Sequence, residues 1–125
     1  MMRRSVLALL LLGLAASHAP AQDAAAPRDF ILRGYGAAMA CGEWLDLRRA
    51  AGGMFAAQKR ELYRATVGWS LGYLSGAARW GDNIDPLRDM DEEATVAWLA
   101  AHCARSPGTQ LRSALEAFID AHPAR

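Results

Sequence analysis

The chain has 125 residues, with 14 Lys and Arg against 13 Asp and Glu and a formal net charge of +1. That length fits one small domain once an export segment is removed, and so balanced a charge offers no basic footprint for nucleic acid. The eleven glycines fall mostly within or between apolar segments, so they do not mark a disordered linker.

The first element is MMRRSVLALLLLGLAASHAPAQ. Arg3 and Arg4 give a positive start, Val6 to Ala16 is apolar and uncharged, and Ala19-Pro20-Ala21 supplies a small-residue cleavage site. This is the pattern of a secretory signal peptide over residues 1–21, cut between Ala21 and Gln22. The apolar run is about 11 residues, whereas a membrane span needs about 20. The first cysteine, Cys41, lies far beyond that run, and the preceding AAMA lacks the leucine of a lipobox. Removing residues 1–21 leaves 104 of the 125, and losing Arg3 and Arg4 takes the charge from +1 to −1. The expected location is the periplasm.

Residues 22–35 open with the alanine-rich QDAAAPR and read as a flexible N-terminus ahead of a helical domain over 36–122. No stretch alternates apolar and polar residues with strand-like β-branched enrichment. The expectation is therefore an all-α fold, a small bundle of about four helices. The first helix covers about Gly36 to Ala50, with Cys41, Trp44, Leu45 and Arg48 at helical spacing and Gly52-Gly53 ending it. The second covers about Ala56 to Arg79. Leu62, Thr66, Trp69 and Tyr73 form one stripe on it, and Tyr63, Val67, Leu71 and Leu74 form the next. Breakers Gly81, Asn83 and Pro86 follow.

The third helix covers about Met90 to Arg105, with Asp89 and Glu92 at capping-box spacing and Val96, Leu99 and Cys103 pointing one way. Ser106 reads as the N-cap of a fourth helix and Pro107 as its first residue. Leu111, Ala114, Leu115, Phe118 and Ile119 make its apolar face, and Pro123 closes it. The two cysteines of the exported chain, Cys41 and Cys103, permit one intramolecular disulfide, which would tie the first helix to the third.

Within the second helix Gly68, Gly72 and Gly76 recur every fourth residue. Glycine costs roughly 0.8–1 kcal/mol relative to alanine in a helix interior, so three on one stripe need a reason. A membrane face of small residues is one reading. The uncharged run from Ala65 to Ala78, flanked by Arg64 and Arg79, spans only about 21 Å against a hydrocarbon core of ~30 Å. Stable membrane insertion is therefore not expected. The favoured reading is close approach of a neighbouring helix; the other is a groove that receives a partner. Trp69 and Tyr73 lie beside that stripe, and Trp80, next to Gly81, is the best candidate for an exposed aromatic anchor.

No catalytic constellation emerges, and the chain does not read as an enzyme. Ser70 and Ser75 lack a nucleophile-elbow pattern. His102 reads as a packed or surface side chain and His122 as part of a frayed end. Cys41, Cys103, His102 and His122 match no metal-ligand spacing. Asp89 to Glu93, DMDEE, lacks the glycine and alternating oxygens of a calcium loop and reads as favourable charge at a helix N-terminus. No cofactor or metal is expected.

Two segments resemble a known family. ACGEWLDL, Ala40 to Leu47, resembles the opening helix of the HdeA/HdeB type of periplasmic acid-stress chaperones, and VAWLAAHCARSPGTQLRSALEAF, Val96 to Phe118, is similar to their later helix. By that resemblance Cys41 and Cys103 are the family disulfide, and the function is to hold unfolding clients on apolar surface exposed by acid. Carboxylates with depressed folded pKa would lose their stabilisation as pH falls through that pKa; Glu43, Asp46, Asp89, Asp91, Glu92 and Glu93 are the candidates. The middle differs: WSLGYLSGA, Trp69 to Ala77, is closer to the GY-x-x-G helix of Tai-type immunity proteins, which neutralise type VI secretion effectors. Both resemblances imply a non-enzymatic protein that binds other proteins: the first expectation is an acid-stress chaperone holding unfolding clients, and the alternatives are an immunity protein neutralising one effector or a structural periplasmic protein; a homodimer is compatible with each.

Overall fold

A computed structural model of the chain describes residues 31–82 and 84–123. The expected signal peptide over residues 1–21, its expected cleavage point between Ala21 and Gln22, and residues 22–30 lie outside the described residues. The fold is all-α: α1 is Cys41–Ala51, α2 Ala57–Trp80, α3 Glu92–Arg105 and α4 Leu111–Ala121. Among the described residues the one extended pairing is an isolated bridge between Ala40 and Gln110.

That bridge explains two differences from the sequence reading. Residues 35–38 form a turn and Ala40 pairs in the bridge, so residues 36–40 are not the first turn of a helix, and α4 starts at Leu111 rather than Pro107. The first N–H groups of a helix have no partner inside it. Here the Cys41 and Gly42 N–H groups donate to the carbonyls of Thr109 (2.7 Å) and Pro107 (2.9 Å), and the Leu111 N–H donates to the Met39 carbonyl (2.9 Å). The segment Ser106–Gln110 is thus a turn that caps α1, and the beginnings of α1 and α4 satisfy one another. Glu43 adds a reach-back, its Oε2 accepting from the Ala40 N–H at 2.9 Å. At α3 the cap is Asp91 rather than Asp89: its carboxylate accepts from the Ala94 N–H at 2.7 Å, and Glu92 opens the helix.

The core forms where the four helices meet. Trp44, Leu74, Leu99, Leu111, Leu115 and Phe118 are fully buried. The Trp44 indole N–H donates to Thr66 Oγ1 at 3.1 Å, the Thr66 hydroxyl to the Tyr63 carbonyl at 2.7 Å, and the Ser70 hydroxyl to the Thr66 carbonyl at 2.9 Å. The buried polar groups along α2 are thereby satisfied, as a stable interior requires. This moves the core line of α2 to Thr66, Val67, Ser70 and Leu74, the seam between the two stripes read from the sequence. On α1 the buried set is Cys41, Trp44, Leu47 and Ala51; Leu45 is half-buried against that core and Arg48 is exposed. Cys41 and Cys103 are joined, with Cα atoms 4.9 Å apart and no solvent exposure. They tie the start of α1 to the last turn of α3. α1 and α4 each pack on both other helices, whereas α2 and α3 barely meet.

The glycine stripe is the main correction. A Cβ built on Gly68, Gly72 or Gly76 meets nothing within 4 Å. No helix approaches there among the described residues, because the stripe lies on the solvent side of α2, opposite Thr66, Val67, Ser70 and Leu74. The closest approach to Trp69 occurs at two glycines outside any helix. A Cβ on Gly34 would sit 2.6 Å from the Trp69 ring, and one on Gly36 would fall inside it. Gly34 also has φ +110°, a conformation that favours glycine. Gly36→Ala is therefore expected to lower stability by about 1–3 kcal/mol through overpacking, measured by urea unfolding.

Candidate functional site

The three aromatic residues singled out in the sequence do not form one surface. Trp69 is clasped by the turn that holds Gly34 and Gly36, and its indole N–H donates to the Arg33 carbonyl at 2.8 Å. Residues 33–36 are therefore part of the packed domain. Tyr73 lies against Trp69, with ring centroids 5.8 Å apart, and its hydroxyl donates to Glu116 Oε1 on α4 at 3.4 Å. Partial burial, with the Glu116 carboxylate beside it, pushes the Tyr73 ionisation upward, so this phenol stays neutral through the ordinary pH range. Both side chains serve packing. Trp80 is different: it is 81% exposed, with the Arg79 guanidinium 4.6 Å from its ring centroid.

The histidines cluster in a way the sequence did not suggest. His102 stacks on Trp98 at 5.2 Å, and His122 stacks on Phe118 at 4.1 Å and meets Trp98 edge-on at 5.7 Å. Each imidazole sits one turn after its aromatic neighbour, and Nδ1 of His122 is 2.7 Å from the Phe118 carbonyl. His122, expected to fray, instead closes the end of α4. With Cys41 and Cys103 in a disulfide, neither offers a thiolate to a metal, and no group of three candidate ligands gathers among the described residues.

The most exposed apolar side chains lie at the α1–α2 end. Met54 and Phe55, in the connecting turn, are 86% and 96% exposed. Nearby, a groove of about 580 Å³ runs between residues 34–39, α1 and the start of α2, lined by Tyr35, Met39, Leu47, Lys59 and Leu62. Tyr35 also lines a hollow with Lys59 and Leu62 in the first two turns of α2. The sequence signal was AGGMFA: two large apolar residues placed in a glycine-marked turn, where no helical face can bury them. Trp80 stands at the other end of α2, roughly 35 Å along its axis. A second cleft, about 410 Å³, separates α2 from α3.

No helix of the described residues is long and apolar enough to cross a membrane. No family model, curated protein or solved structure matches the chain.

Proposed function

We propose that this protein works in the periplasm, without catalysis, by binding another protein in its folded state through the α1–α2 end. The observation that carries this reading is the exposure of Met54 and Phe55 in the turn that joins α1 to α2, the two helices whose residues help line the Tyr35–Leu62 groove. Apolar side chains held in water next to a groove mark interaction sites, and aromatic anchors dominate binding energy where they find a pocket. One tight partner at neutral pH is the form that the immunity-protein resemblance implies. In co-purification from periplasmic extract near neutral pH, one stoichiometric partner is expected with the native protein and none with M54S/F55S. Retention of that partner by the double variant would overturn the assignment of this surface.

The acid-stress chaperone is the second reading, favoured by the Cys41–Cys103 bond, which would keep a loosened chain tied together. It needs an interior that acid loosens. The four ion pairs among the described residues, Asp46–Arg49, Glu61–Arg64, Asp85–Arg88 and Glu116–Arg112, are all local along the chain and exposed to solvent. Such pairs contribute about 0.2–1 kcal/mol each. Glu43 and Asp91 serve helix starts, and among the described residues no carboxylate lies in the core. Protonation therefore removes only peripheral contacts. Near-UV circular dichroism is expected to persist down to about pH 3, with no rise in hydrophobic-dye binding. Loss of that signal together with suppressed client aggregation in acid would instead establish the chaperone.

A further inference from the structure

Two motifs of the sequence come to the rim of one cleft. Gly68, the first of the glycine stripe, and Glu92 and Glu93, the end of the acidic run, line the same cleft between α2 and α3. Its apolar wall is Tyr63, Val67 and Leu71 from α2, with Val96 from α3. The cleft exists because α2 and α3 barely touch while both pack on α1 and α4. A Cβ on Gly68 would meet nothing within 4 Å, so this rim of the cleft has room for a side chain.

The charge at its edge is one-sided. Arg64 is held by Glu61 at 2.8 Å, so that pair is neutral. Glu92 and Glu93 have no ion-pair partner among the described residues. The α3 N-terminus contributes only about half a positive charge against their two negatives. From Tyr63 to Leu71 the wall runs about 12 Å along α2, two turns of an apposed helix.

We propose that this cleft docks an amphipathic segment of a partner protein whose apolar side chains are flanked by lysine or arginine. Apolar anchors enter between Val67, Leu71 and Val96, and the basic group meets Glu92 and Glu93. This is helix-in-groove recognition, on a face separate from Met54 and Phe55. It goes beyond the α1–α2 reading and stands or falls independently of it.

The test titrates the oxidised protein, followed by its amide NMR signals, with an amphipathic leucine–lysine peptide of about four helical turns. A leucine–glutamate peptide of the same pattern and a serine–lysine peptide are the controls. The leucine–lysine peptide is expected to shift the Val67, Gly68 and Val96 signals and to bind at least about tenfold tighter than either control. Gly68→Leu, whose side chain fills the cleft from an open helix face, is expected to weaken it about tenfold. E92Q/E93Q is expected to weaken it severalfold and to flatten its salt dependence. M54S/F55S and W80A should leave it unchanged.

Equal binding of the two leucine peptides, or undiminished binding by Gly68→Leu, would overturn the proposal. So would concentration-dependent self-association abolished by Gly68→Leu, which would make a second copy the occupant. Peptide binding that survives M54S/F55S while the extract partner is lost would show two separate surfaces. Absence of peptide binding with the extract partner retained would remove this proposal and leave the α1–α2 reading standing.

Discussion

Replacing Cys41 and Cys103 together by alanine is expected to remove roughly 4 kcal/mol of stability. The bond closes a loop of 62 residues, and the chain-entropy treatment assigns a closure of that length roughly this value. Domains are usually stable by only about 5–15 kcal/mol, so the variant should keep a small remainder. The location adds to the effect. Cys41 is the first residue of α1, its N–H bonds to the Thr109 carbonyl, and Cys103 sits in the last turn of α3. Both sulfurs are wholly buried, so alanine also leaves packing unfilled. Thermal and urea unfolding followed by far-UV circular dichroism, comparing the native protein with C41A/C103A, should show the midpoint fall by some 15–30 °C. A loss below about 1 kcal/mol would mean that packing among Trp44, Leu99 and Phe118 holds α1 to α3 unaided.

The helices were legible because their apolar spacing is local information. Leu111, Ala114, Leu115 and Phe118 were read as one face of the last helix and are buried together. Where a helix begins depended on a partner far along the chain. Ser106-Pro107 has the composition of a helix start, but its carbonyl neighbours are needed by the N–H groups of α1, more than sixty residues earlier. Glycine misled for a related reason. Spacing shows that three glycines share a face, while only the tertiary arrangement shows which way that face looks. The tight approach fell to Gly34 and Gly36, which carry no periodic signal because the ring they admit, Trp69, comes from α2. Met54 and Phe55 were passed over because a turn has no periodicity to declare a side chain surplus to the core. The α2–α3 cleft combines residues from two helices and could not be read from either.

The second large effect runs in the opposite direction. Changing Gly68, Gly72 and Gly76 together to alanine is expected to stabilise the fold by about 2.5–3 kcal/mol. Each of these helical glycines carries a propensity penalty of about 0.8–1 kcal/mol, and none has a neighbour that a Cβ would strike. Sites on one exposed helix face, without shared partners, should add nearly independently. The unfolding midpoint should rise by about 10–20 °C. Gly72→Leu alone should also be tolerated, in contrast to Gly36→Ala, which drives a methyl into the Trp69 ring. A loss of stability in the triple variant would mean that a neighbour packs on the stripe after all. If the gain appears, the natural sequence is keeping a helix weaker than its own packing requires. Proteins commonly forgo stability where activity depends on the site, and the binding measurements then decide the matter. A stabilised triple variant that retains every partner assigns Gly72 and Gly76 no part in recognition. One that gains stability and loses the basic amphipathic peptide shows that the bare face of α2 is kept for contact.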